Sequence, residues 1–332
     1  MNFNTPSKTF VKSSNSINKF NNNYLYTLII FLLYIILYNL LIKENIIVLS
    51  ILKTLSISIL TSIFIYYIVK LITKDKLKKD MTINYLISIS IIITLFSYKE
   101  KIIITIIATI ISLIIKKIHK NINLSATLYG ILFIYLYKYI SNDLITPLTN
   151  LTNYNYVGTY QEIIKSNGTI LSYLLGINYL SPILSIIIFF YLFYKKSIKY
   201  SLYFSYILTF SSIMLLFGLF NNMNVYYLFF ELTTGNILFL STYLLTDMII
   251  TPTISKGQII YGIILGIITS ILRFIIPELS VIITLIIGPI LLTKYIDKLS
   301  IKYKYNEKYY LNTLIICFIV IIITIISLSI IF

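Results

Sequence analysis

The sequence predicts an all-α polytopic membrane protein, and three observations predict it. Of its residues 58% are apolar and only 11% charged. Apolar runs recur along nearly the whole chain, and lysines gather in every second gap between them. One soluble core could not bury that much hydrocarbon, so the bilayer is the natural solvent. A spanning helix needs about 20 mostly apolar residues, because the hydrocarbon layer is about 30 Å thick and each helical residue rises about 1.5 Å.

Eleven apolar segments can be read along the chain. The first five are Tyr24 to Ile42, Ile46 to Ile72, Ile83 to Tyr98, Ile102 to Ile115 and Leu124 to Ile140. After a gap come Leu180 to Tyr194, Leu202 to Phe220, Val225 to Thr246, Ile259 to Ile276, Leu279 to Leu292 and Tyr310 to Phe332. With no tryptophan, interfacial anchoring falls to the 31 tyrosines, many of which sit at the ends of these runs. The first 22 residues are polar, so no cleavable signal peptide is expected and the insertion signals are internal.

Charge gives the orientation. With the N-terminus cytoplasmic, 20 of the 27 Lys and Arg residues fall on the cytoplasmic side and five outside, as short cytoplasmic loops require. Lys53 and Arg273 lie inside apolar runs, where long stems are expected to snorkel to the interface. A net charge of +16 spread over alternate loops forms no contiguous basic face, which excludes nucleic acid as a partner and leaves the lipid bilayer.

The loop from Ser141 to Tyr179 is extracytoplasmic, long, and rich in Asn, Thr and Gly; loops of that length are usually functional or disordered. Five segments precede it and five follow before the last one, and an odd number per half makes the halves inverted relative to each other. The expected organisation is a cytoplasmic segment (1–22), a five-helix half (23–140), the external loop (141–179), a second five-helix half (180–300), and a basic linker with an extra transmembrane helix (301–332).

No glycine-rich phosphate loop, carboxylate pair or metal-ligand cluster is apparent, so redox chemistry would need a bound cofactor positioned by the protein. The single cysteine, Cys317, can neither pair within the chain nor ligate a cluster alone. His119, among lysines, reads as a solvated residue. Taken alone, Thr159 is an ordinary loop threonine, Gly235 a close helix contact, Asn121 a helix cap, and Asp247 an interface anchor. Glu231 is an intramembrane carboxylate, costly unless paired or wetted, and a candidate for an ion pathway.

The stretch from Thr233 onward, TTGNILFLSTYLLTDMIITPTISKGQIIYGIILGIITSILRFIIPE, resembles the D subunit of the Rnf electron-transport complex and the related B subunit of sodium-pumping NADH:quinone reductase. Thr234, Gly235, Thr246, Asp247, Pro252, Lys256, Gly257, Tyr261, Gly262, Pro277 and Glu278 fit that family's order, with Met248 where the family has proline. Thr5 and Pro6 are similar to its Ser-Pro before the first span. Asn121, Ile122 and Ala126 are similar to the opening of its fifth helix, with Leu124 and Ser125 in place of Asn and Pro.

The resemblance implies FMN joined through its phosphate to a threonine by a dedicated flavin transferase. Tyr156-Val157-Gly158-Thr159 occupies that place, so Thr159 would carry the phosphoester and Gly158 would let the backbone approach the phosphate. It implies a second, noncovalent flavin (riboflavin or FMN) on the cytoplasmic side near Asn121 and Asp247, with Thr234, Gly235 and Lys256 as further cofactor-binding candidates. It also implies a bacterial inner membrane location, Na⁺ or H⁺ coupling, and electron relay between ferredoxin and NAD. The partner subunits would be flavin-bearing G, membrane A and E, and iron-sulfur B and C. Two other readings share the scaffold: a flavin-free transporter or channel, and a subunit like the quinone reductase's B chain.

Overall fold

The computed structural model describes residues 17–73, 82–119, 124–141, 180–221, 226–247, 251–305 and 307–331, and among them every regular element is helical. By length and composition six of these helices can cross a membrane, and a seventh crossing is added when one bent pair is taken as a single span. The chain is an all-α polytopic membrane protein. Among the described residues each apolar segment read from the sequence falls on helix, the stretch from Val225 to Thr246 on a broken pair.

Helices α1 (Ile17–Leu41) and α2 (Asn45–Thr73) are long and joined by a tight turn through Lys43 at φ 65°. Helix α3 (Ile83–Ser97) starts where Thr82 Oγ1 accepts from Tyr85 N. It is too short for a lipid-exposed span, yet nearly all of it is buried, because α1, α2, α4 (Ile102–Ile118) and α5 (Thr127–Ile140) surround it. Apolar packing alone gives no preference for protein over lipid, so hydroxyls supply the specificity. Ser90 Oγ lies 3.2 Å from both Ser58 O and Ser62 Oγ on α2, and Thr61 Oγ1 lies 3.0 Å from Thr109 Oγ1 on α4.

From residue 180 on, Ser181 Oγ and Pro182 open α6 (Pro182–Tyr194). Then come α7 (Tyr200–Phe220), α8 (Tyr226–Thr233) and α9 (Ile237–Leu240), the last widening into a π turn over Ser241–Leu245. Ser241, Thr242 and Thr246 each donate back to a carbonyl three or four residues earlier, a pattern that loosens the helical ladder. Helices α10 (Ser255–Ile275) and α11 (Ser280–Ile287) follow. A second π turn, Gly288–Leu292, accommodates Pro289, which has no N–H for the ladder, and carries α11 into α12 (Thr293–Tyr305). Helix α13 (Glu307–Ile331) lies last.

The closest helix pair is α7 with α10. Gly262 and Gly266, one turn apart on α10, face Ser205 and Thr209, one turn apart on α7. A Cβ on Gly262 would lie 2.8 Å from Leu202 O and 3.0 Å from Tyr206 N, so the two backbones approach only because both positions lack one. Helix α13 packs on the outside of this pair: 6% of its apolar window is buried, against 61% for α10.

The starts of α1, α3, α5, α7 and α10 meet the ends of α4, α6 and the α9 π turn at one end of the bundle. Lys116, Lys117, Lys195, Lys196, Lys199 and Lys256 all lie at this lysine-rich end. Lys138 pairs with Glu100 (3.3 Å) at the other.

Candidate functional site

Two buried polar clusters lie at different depths along the broken α8–α9 helix. At the lysine-rich end the π turn delivers Asp247, 5% exposed, to the opening of α5. Its Oδ2 accepts from Ser125 N (3.4 Å) and Ser125 Oγ (3.1 Å), so the carboxylate closes the 3₁₀ turn Leu124–Ala126 that precedes α5. A negative charge is favoured where a helix leaves N–H groups unpaired. Proline at 125 could supply neither donor. Tyr24 Oη lies 3.4 Å from Thr246 Oγ1 and donates to Ser197 O (3.4 Å), tying α1 into the same cluster.

Residues 251–253, ahead of α10, are held by side chains at the starts of α7 and α10. Lys199 Nζ donates to Thr251 O (2.9 Å), Thr251 Oγ1 (2.8 Å) and Pro252 O (3.1 Å), and Gln258 Nε2 donates to Pro252 O and Thr253 O. Burial pushes the Lys199 ammonium down to about 8, against the pull of Asp247 and Asp297. Lys199→Met strips three hydrogen bonds from residues 251 and 252, and a hydrogen bond to a charged group contributes about 1.5–3 kcal/mol net, less where the group is part exposed. Limited proteolysis in detergent should show faster cleavage between Asp247 and Gln258 in that variant, and an unchanged cleavage rate would rule the clamp out.

Nearer the other end, α8 stops and α9 restarts at 51°. Gly235 and Asn236 both adopt left-handed backbone, φ 66° and 58°. Glycine adopts it freely and asparagine more readily than most residues. The break leaves carbonyls at the end of α8 without partners, and Arg273 on α10 supplies donors. Its Nε donates to Glu231 Oε2 (2.7 Å), Nη2 to Thr234 Oγ1 (2.7 Å) and Glu231 O (3.3 Å), and Nη1 to Pro277 O (2.9 Å). Glu231 and Arg273 are both 3% exposed. The guanidinium cation also suits the negative end of the α8 dipole. Gly235 sits so close to Arg273 Nη1 that any Cβ there would displace the guanidinium. Asn236 has other partners: Oδ1 accepts from Leu180 N (2.9 Å), just ahead of α6, and Nδ2 donates to Tyr135 Oη (3.3 Å).

Between the clusters runs a column of packed rings. Tyr24 and Tyr243 have centroids 6.0 Å apart, Tyr243 and Phe239 4.8 Å, Phe239 and Phe96 5.9 Å, and Phe96 and Tyr135 6.3 Å. These tilted and edge-on contacts pack the space between the two clusters.

The profile of the NQR2, RnfD, RnfE family matches residues 4–306. The chain belongs to this family. The match ends one residue before α13 begins, so the last helix lies outside the NQR2, RnfD, RnfE pattern. A comparison with curated proteins gives no significant match. Members of the NQR2, RnfD, RnfE family are subunits of ion-translocating oxidoreductase complexes, and this chain is a membrane subunit of that type.

The structure separates residues that the resemblance grouped. Asp247 lies at the lysine-rich end, whereas Thr234 and Gly235 form the helix break. Lys256 points to neither: its Nζ is 3.7 Å from Glu307 Oε1 and 5.1 Å from the Tyr310 ring centroid, on α13. Asn121, Gly158 and Thr159 lie outside the described residues. The expectation that Arg273 snorkels is corrected: it is two residues from the end of α10 but faces inward, where Glu231 neutralises it. Its role was missed because charge was counted for topology and not for pairing. One basic and one acidic residue inside neighbouring apolar runs was the available signal.

Proposed function

We propose that this chain relays electrons within an Rnf-type ion-translocating oxidoreductase, between ferredoxin and NAD partner subunits, with coupling to Na⁺ or H⁺ movement. The observation that carries the reading is the family match over residues 4–306. In this reading FMN is held covalently on Thr159 beside Gly158 outside the membrane. A second flavin, riboflavin or FMN, is held near Asn121 and Asp247 on the cytoplasmic side, in a multi-pass protein of a bacterial inner membrane with its N-terminus inside.

The residues at the lysine-rich end fit such a group. The Tyr243 hydroxyl is buried there without a well-formed hydrogen bond among the described residues, a donor that a polar ring edge would satisfy. Bound flavin supplies one- and two-electron chemistry. The protein's part is to orient it, to keep water out with the aromatic column, and to fix local charge through Asp247 and Lys199. The flavin-bearing G subunit, membrane subunits A and E, and iron-sulfur subunits B and C are the proposed neighbours, with a flavin transferase attaching the FMN.

A second reading, a flavin-free transporter, is favoured by the broken helix with its buried ion pair, since discontinuous helices build substrate sites in transporters. One experiment separates the two. Coexpressed with a competent flavin transferase and run on a denaturing gel under ultraviolet light, the relay gives a fluorescent band that Thr159→Ala abolishes. A dark wild-type band, or one that survives the substitution, rejects attachment at Thr159.

A further inference from the structure

We propose that the cleft between α2 and α4 at the lysine-rich end is a binding site for one anionic phospholipid. Thr61 and Thr109 pin the two helices together at mid-span, 3.0 Å apart. From there toward the lysine-rich end they leave a groove of about 640 Å³, within the range of small-molecule pockets, about 300–1,000 Å³. Its walls are Phe64 and Ile68 on α2 and Ile110, Ile114 and Ile118 on α4, spaced four residues apart so that each set forms one stripe. Among the described residues Lys117 is the only charged one lining it.

The two lysines that end α4 divide their roles. Lys116 turns inward, 5% exposed, with Nζ 5.4 Å from the Tyr85 ring centroid. Lys117 turns into the groove, and no carboxylate among the described residues lies within ion-pair distance of it. An apolar trough ending in one cation at the lysine-rich end of the bundle matches an acyl chain below a phosphate. A helix of another protein would cover the trough but would have to bring a carboxylate to that one position, and a quinone tail brings no anionic head. Basic pockets between spanning helices at the membrane surface take anionic headgroups, at ~1 kcal/mol per lysine.

The test is native mass spectrometry of the full chain in mild detergent, titrated with dioleoyl phosphatidylglycerol or dioleoyl phosphatidylcholine. The wild type should retain one phosphatidylglycerol in preference to phosphatidylcholine. Lys117→Gln should lower that retention about fivefold, the factor that ~1 kcal/mol gives. Ile114→Trp, which fills the trough and keeps the charge, should displace both lipids. Equal retention of the two lipids, an unaffected Lys117→Gln variant, or displacement of the lipid by an added quinone overturns the proposal.

Discussion

Arg273→Leu should destabilise the protein more than any other single change at the helix break, by about 3–5 kcal/mol, the usual cost of stranding one member of a buried ion pair. The substitution leaves the Glu231 carboxylate buried and also removes donors from Thr234 Oγ1 and from the carbonyls of Glu231 and Pro277. Solvent cannot rescue them, since both ends of the pair are 3% exposed. The double variant Glu231→Leu/Arg273→Leu should recover a large part of the loss, because replacing a whole buried pair with apolar side chains is often neutral. Recovery stays incomplete while the α8 carbonyl and Pro277 O lack donors. Thermal unfolding of the detergent-solubilised protein reads both variants, and a double variant no more stable than Arg273→Leu would show that the carboxylate is not what the cation balances.

Gly262→Leu is the second large effect. Even the first carbon of a side chain meets Leu202 O at 2.8 Å and Tyr206 N at 3.0 Å, and these are backbone atoms that cannot swing aside. Overpacking typically costs about 1–3 kcal/mol where side chains can yield, and here the helices themselves must part. Gly262→Ala should fall in that range and Gly262→Leu above it. Gly266 is placed alike: at both glycines the nearest atom is a side-chain hydroxyl, Ser205 or Thr209, and behind it Gly266 meets Thr209 Cβ at 2.9 Å and Tyr206 O at 3.1 Å. Gly262→Ala paired with Ser205→Ala, and Gly266→Ala paired with Thr209→Ala, should therefore each recover only part of the loss, because alanine removes the hydroxyl and leaves the backbone and Cβ contacts. Monodisperse yield from size exclusion and the thermal midpoint measure the series; full recovery in either pair would contradict the geometry.

Hydropathy made the helices legible, because lipid-exposed spans need apolar side chains almost everywhere along their length. It could not reveal the interruption at Gly235 and Asn236. Val225 to Thr246 reads as one run, since hydropathy is blind to φ and no proline marks the spot. The family resemblance, which follows order along the chain, grouped Thr234 and Gly235 with Asp247. They are close in sequence, but about a dozen residues at about 1.5 Å each set them at different depths. Lys256 fits the family order, yet its reach toward α13 could not be anticipated, because that helix lies outside the family pattern. Ser125 was noted only as a departure from proline, whereas its two donors are what fasten Asp247.

The bend between α8 and α9 owes nothing to an imino acid. A ring-locked residue would impose its kink in every state, whereas glycine and asparagine are equally free to adopt ordinary right-handed dihedrals. The angle is thus held by side-chain contacts, the Arg273 guanidinium on one side and the Asn236 amide on the other, and losing them opens a straight rod as an alternative shape for the same stretch of chain.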